Sequence, residues 1–276
     1  MALSLRFAEE ADFSSRAVGV DLQEEDERPL SEPIFRWNRS VRESLVSNAT
    51  VNVEKLIVAM PGGPEKFLQE LTSEWVTVAT LVVSDETIQP CKLQSAAISA
   101  CVVLSKYEVD DKANFGKVFA VRVPHAISQR ASWVWVNALQ KRIHARETFC
   151  LDSQTSTTIY DHAHSNEQYP LLRMLATSSV ALGSGADADK EGYPVRTLEI
   201  PRFTSGIPAA LITLGEVKKQ RVRVLLTICE FTTVVSEMVR CFLPLCSLLG
   251  LDRPLFFRPQ GAEIAELDQE FNGLYT

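Results

Sequence analysis

The sequence is short of the residues from which catalytic and metal centres are built. Four histidines are spread over 276 residues, and the six cysteines (Cys91, Cys101, Cys150, Cys229, Cys241, Cys246) form no C-x-x-C pair. None has a histidine at zinc-finger spacing, which excludes a compact structural zinc site of the usual kind. Most of them lie inside apolar runs, where a free thiol behaves as a small hydrophobe, so they are read as buried and reduced. No G-x-S-x-G elbow, P-loop or H-E-x-x-H pair occurs either. No metal and no cofactor is expected.

Concentrated positive charge is missing as well. The chain carries 28 Lys and Arg against 35 Asp and Glu, a net charge of −7, and the basic residues are dispersed. A nucleic-acid groove and an anionic membrane surface are therefore not expected, and a partner with a basic patch suits the chain better. Long uninterrupted apolar runs are lacking too. The most apolar stretch, Val222 to Leu251, is broken by Glu230, Glu237, Arg240 and Pro244, which reads as a buried strand and a buried helix rather than a membrane span. Met1 to Arg6 shows no apolar core of a secretory leader, so the expected location is cytoplasmic, with the nucleus also open.

What is present is enough apolar residue, 46%, to bury one large core. Residues 1–33 are acidic, with five carboxylates between Asp21 and Arg28, and read as a disordered segment. Phe35 to Leu45 fits an edge strand or a short helix. Lys55 to Met60, Pro61-Gly62-Gly63-Pro64 and Glu65 to Glu74 read as strand, turn and helix. Trp75–Val83, Ala100–Leu104 and Val118–Val123 are expected strands, Ile127–Ile143 a long helix, and Phe149–Leu151 and Thr157–Tyr160 short strands. Residues 161–194 read as a long loop with a turn of helix at Leu171–Leu175. A helix over Gly206–Val217, a central strand over Arg221–Ile228 and a helix over Thr232–Leu251, kinked or ended at Pro244, complete the pattern. The alternation predicts an α/β fold: a central, mostly parallel or mixed sheet flanked by helices, as a single domain over residues 34–251 with flexible termini.

Two local patterns invite chemical readings. Gly183-Ser184-Gly185-Ala186 loosely matches a dinucleotide fingerprint, but Gly192 and Pro194 block the helix that such a site needs, so it reads as a linker. Asp161, His162 and His164 could face a divalent metal from an extended segment, as in a phosphorylase- or hydrolase-like α/β enzyme. With only His125 and His144 left to complete a site, solvated polar residues opening a long loop are the preferred reading, and the chain is read as non-enzymatic.

The last 25 residues point to binding. Pro254, Pro259 and Gly261 make residues 252–261 a link, and Ile264, Leu267 and Phe271 recur at helical spacing among Glu263, Glu266, Asp268 and Glu270. Asn272-Gly273 then stop that helix and leave Leu274, Tyr275 and Thr276 as a docking tail: two large side chains and a carboxylate able to enter a slot that no folded surface can reach.

Several of these segments together resemble the proteasome assembly chaperone 1 family. They are the helix start Gly206-Ile207-Pro208-Ala209-Ala210-Leu211-Ile212, the Val222–Ile228 strand and Thr232–Leu243 helix that follow, Tyr169-Pro170-Leu171-Leu172-Arg173-Met174-Leu175, the acidic start with the Lys55–Ala59 strand, and the hydrophobic-Tyr-X ending. The loop Gly183–Asp189 has no counterpart in that pattern. The resemblance implies a heterodimer with proteasome assembly chaperone 2 that helps build the α-ring of the proteasome core particle. It implies that Leu274 packs against the wall of a pocket between α-subunits, that Tyr275 stacks and donates its hydroxyl, and that Thr276 presents the carboxylate to a lysine.

Overall fold

The apolar runs that mark the sequence become the middle of one mixed sheet. The computed structural model describes residues 30–44, 50–84, 98–106, 118–155, 169–183, 195–199 and 202–252. Its elements, in chain order, are β1 Ile34–Trp37, α1 Arg39–Ser44, β2 Val51–Ala59, α2 Gly63–Leu71, β3 Val76–Ser84, β4 Ile98–Ser105 and β5 Val118–Arg122. They continue with α3 Gln129–Gln140, β6 Ile143–Thr155, β7 Leu171–Ala176, α4 Ser178–Gly183, β8 Arg196–Thr197, α5 Gly206–Lys218, β9 Arg221–Cys229, α6 Val235–Phe242, a 3₁₀ turn Leu243–Leu245, and α7 Cys246–Leu249.

Strand order is β1-β3-β4-β5-β2-β6-β9-β7-β8. The inner strands β5, β2, β6 and β9 run parallel, while β1-β3, β3-β4, β4-β5 and β7-β9 are antiparallel pairs. Parallel strands covered on both faces need apolar side chains on both, and β2 and β9 supply them: Leu56 to Ala59 and Val222, Val224, Leu225 and Leu226 are buried. One face packs against α3 and α5 through Trp135, Val136, Leu139, Ile207, Leu211 and Leu214. The other packs against α2, α6 and α7 through Phe67, Leu68, Val239, Phe242 and Leu249.

The expected mixed sheet flanked by helices is present, with differences that have local causes. The segment expected to be a loop over 161–194, with a turn of helix at Leu171–Leu175, contains strand β7 and helix α4 instead. Leu171 and Arg173 face inward, and Arg173 can be buried because its Nε donates to Glu199 Oε1 at 2.5 Å; pairing with β9 overrides the helical spacing. The helix expected over Ile127–Ile143 is α3, shorter at both ends. Ser128 caps it, its hydroxyl accepting from the Ala131 N–H, and Ile143 is already the first residue of β6. Phe149–Leu151 is thus the buried centre of a 13-residue strand held between β2 and β9. Phe35 to Leu45, open between strand and helix, contains both β1 and α1. Pro244 does interrupt the last helical stretch, through the 3₁₀ turn. Thr157–Tyr160, Gly183–Asp189 beyond its first residue, the segment 1–29 and the segment 253–276 lie outside the described residues.

Candidate partner-binding surface

The predicted docking residues Leu274, Tyr275 and Thr276, and the metal candidates Asp161, His162 and His164, all lie outside the described residues. Among the described residues no three His, Cys, Asp or Glu side chains converge on a common point. The root of the tail is fixed in place. The Leu251 N–H donates to Cys246 O at 2.8 Å and the Gly250 N–H to Ser247 O at 3.1 Å, closing α7 with Gly250 at φ 75°. Leu251 is buried, and Asp252 pairs with Lys106 just beyond the end of β4. Because β4 runs antiparallel to β5, Asp252, the last described residue, lies at the edge where the parallel strands begin.

The opposite edge, where the parallel strands end, carries a group of exposed apolar side chains. Phe231 is 95% exposed, Phe203 77%, Val234 60%, and Trp133 and Val235 45% each. Phe231 sits on the turn between β9 and α6, and that turn is held by hydrogen bonds: the Glu230 N–H donates to Thr233 Oγ1, the Thr233 N–H to Glu230 O, and the Val234 N–H to Glu237 Oε2. The ring is therefore presented by a defined backbone. Phe203 precedes α5, which runs back antiparallel to β9 and so starts at this same edge; a Cβ on Gly206 would lie 3.6 Å from Ser132 of α3, the helix that bears Trp133. Aromatic side chains standing in water on a rigid frame are the composition of a protein contact, where buried aromatics act as anchors. The sequence reading passed over Phe231 and Phe203; the readable signal was a phenylalanine set between a strand and a helix with no place in either period.

Two carboxylates at this edge are engaged within the fold. Glu65 is buried, and its Oε1 accepts from Arg122 Nε at 2.9 Å and Nη2 at 2.7 Å. Asp152, near the end of β6, accepts the Ser153 N–H at 2.8 Å, and burial lifts its carboxyl to about 6. In the Gly-Gly turn that opens α2, a Cβ on Gly63 would meet Met238 Cβ at 2.6 Å. That glycine lets α2 approach α6; it is a packing residue. Cys101, Cys150, Cys229, Cys241 and Cys246 are free thiols, and burial raises those of Cys101 and Cys241 to about 11. No described helix is long and apolar enough to cross a membrane.

Neither a protein-family model nor a curated protein sequence matches this chain. Solved structures do. PbaB of Pyrococcus furiosus, an archaeal proteasome activator, superposes with a TM-score of 0.59 at 12% identity, covering 89% of this chain and all of PbaB. A Thermoplasma acidophilum protein of unknown function gives 0.56 at 10% identity over 86% of this chain and 96% of its own. PbaA of Pyrococcus furiosus, an archaeal homolog of proteasome-assembly chaperone, gives 0.53 at 12% identity over 89% and 92% of the two chains. The mixed nine-stranded sheet with helices on both faces is thus the fold of structures that include a proteasome activator and a proteasome-assembly chaperone homologue.

Proposed function

We propose that this chain is a non-enzymatic chaperone of proteasome core-particle assembly. It works as a heterodimer with a second assembly chaperone and docks Leu274, Tyr275 and Thr276 between α-subunits. The observation that carries the reading is the likeness over nine-tenths of the chain to PbaB and PbaA, one described as a proteasome activator and the other as a homologue of an assembly chaperone. Two further features support it. The apolar edge around Phe231 and Phe203 is suited to a protein partner. The ending offers an aromatic ring and a carboxylate for a narrow basic pocket. A tripeptide alone binds weakly, and a second tail on the partner plus a folded contact raise avidity by about 10²–10⁴ through effective concentration. Neither of those two structures is described as an enzyme, and the likeness does not favour the hydrolase- or phosphorylase-like reading of Asp161, His162 and His164.

The test is capture of proteasome α-subunits by the full chain co-expressed with a candidate second chaperone, against the same chain lacking Leu274 to Thr276. Truncation is expected to leave the heterodimer intact and to reduce α-subunit capture at least tenfold. Capture that survives both truncation and extension of the terminus would remove the tail from the mechanism, and no capture by the intact heterodimer would remove the function.

A further inference from the structure

At the edge where the parallel strands begin, opposite the exposed aromatics, lies a cavity of about 470 Å³. Its lining includes four cations (Lys55, Arg146, Arg221, Arg223) and two carboxylates (Glu54, Glu147), a local surplus of two positive charges in a chain of net charge −7. Strand register builds it. Lys55 of β2 pairs with Glu147 of β6, which pairs with Arg221 of β9, so the three stand side by side on one face; two residues on, Ile57, Phe149 and Arg223 form the next row.

The cations are not neutralised by one another's partners. Glu147 Oε1 serves two guanidiniums, a close contact to Arg223 Nη1 and a contact to Arg221 Nη2 at 3.6 Å that is too long for a hydrogen bond. Arg221 Nε is buried and has no hydrogen-bond partner. Lys55 Nζ donates to the neutral carbonyl of Leu248 at 2.6 Å, and Arg146 makes no ion pair with any described residue. The heads are also positioned: Lys55 Nζ lies 6.0 Å and Arg223 Cζ 5.5 Å from the centroid of the buried Phe149 ring. The Arg221 side chain is 39% exposed and its Nη2 has no acceptor within hydrogen-bond distance among the described residues, and an oxyanion is what a fork of guanidinium donors fits.

We propose that this cavity receives a phosphate monoester. A single carboxylate would leave positive charge over, whereas a phosphate monoester carries about −1.5 to −2 at neutral pH and matches the surplus. The cavity exceeds what inorganic phosphate fills and falls within the roughly 300–1,000 Å³ typical of ligand sites, so there is room for an organic group beside the phosphate. Arg221 and Arg146 contact the phosphate oxygens, Lys55 adds charge, and Glu147 is the internal anion that competes for the guanidiniums of Arg221 and Arg223. The phosphate can belong to a free small molecule or to a phosphorylated side chain.

The full chain is titrated calorimetrically with glycerol 3-phosphate and, separately, with a heptapeptide bearing one phosphoserine, at constant ionic strength. Glycerol and the unphosphorylated peptide are the controls, and acetate is the monoanion comparison. The expected result is saturable one-to-one binding of at least one phosphorylated probe, with acetate at least tenfold weaker; the arm that binds names the source. The variant Arg146→Met/Arg221→Met, the first position exposed and the second partly exposed, should lose at least tenfold in affinity while its thermal unfolding midpoint stays near that of the parent. Glu147→Gln, which removes the internal competitor, should tighten binding. Absence of saturable binding by either probe, or equal binding by parent and double variant, would overturn the assignment.

Discussion

We predict that Phe231→Ser weakens binding of the second chaperone about 100-fold without lowering the stability of the free chain. The ring is 95% exposed, so the isolated domain loses almost no buried contact, and substitutions at such positions shift stability by no more than about 0.5 kcal/mol. In a contact that covers it, a phenylalanine buries about 150 Å² or more, which at about 25 cal/mol per Å² is about 4 kcal/mol. Fixing the side chain against the partner costs about 1 kcal/mol, leaving about 3 kcal/mol, and each 1.4 kcal/mol is about a factor of ten. Val217→Ser is the control: Val217 is 73% exposed but sits at the far end of α5, at the opposite edge of the sheet. Affinity is measured by surface plasmon resonance against the immobilised second chaperone, and stability by urea titration of each free variant. Loss of binding by Phe231→Ser alone is the expected pattern. If both variants lose affinity equally, or neither does, the aromatic edge is not the contact and the argument from exposure fails.

Three further outcomes follow from the packing and the charges. A Cβ on Gly215 would meet Val222 Cγ2 at 2.5 Å and Thr177 Cγ2 at 3.0 Å, so Gly215→Ala should cost about 1–3 kcal/mol by urea unfolding, and adding Val222→Ala, which removes the closest methyl, should cost less than the sum of the two single changes. Glu65→Ala strands Arg122, which is 27% exposed, and should destabilise by about 2 kcal/mol, less than for a fully buried pair; thermal unfolding reads it. Asp152 has its carboxyl raised by burial from 3.8 to about 6, so between those values the folded chain holds a proton that the unfolded chain has released. Below that window both states are protonated and the group contributes nothing; stability falls as pH rises through it, and the full penalty, about 2–3 kcal/mol, is present above it. Asp152→Asn should therefore stabilise at pH 8 and have little effect at pH 4, and a uniform gain across pH would exclude burial of the charge as the cause.

The sheet was legible where one strand meets the same demand on both faces. Lys55–Met60 and Arg221–Ile228 are continuous apolar runs because each lies inside the sheet, the first between two parallel neighbours and the second between parallel β6 and antiparallel β7, under helices on both sides, and composition alone marks such strands. Edge elements were not legible. Leu171-Leu172-Arg173-Met174-Leu175 has apolar residues at helical spacing, and its strand identity comes from Glu199, 26 residues away, which permits an arginine to point inward. Ile143 belongs equally well to a helical pattern ending there and to a strand starting there; its pairing with Val51 decides it. The cavity at the start of the strands was invisible for a related reason. Lys55, Glu147 and Arg221 are separated by 92 and 74 residues, and the dispersal of basic residues that argued against a charged surface converges only once the register sets three strands side by side.

The two ends of the parallel strands divide the binding chemistry between them. The end where the strands finish bears exposed aromatic side chains, Phe231 among them on a hydrogen-bonded turn, and has Glu65 and Asp152 engaged internally, which favours a contact made by burial of apolar area. The end where the strands start bears cations short of acceptors, the buried Leu251 and Asp252, the last described residue. A nine-residue strand spans about 30 Å, and the 24 residues that follow Asp252 span at most about 80 Å, so chain length does not confine Leu274 to Thr276 to the side on which Asp252 lies. What the separation does ensure is compatibility. On the proposed reading, a partner seated on Phe231 covers neither the root of the tail nor the cation cavity, so one copy can hold its chaperone partner and engage the ring at the same time. The gain in avidity from two linked tails requires that simultaneous engagement.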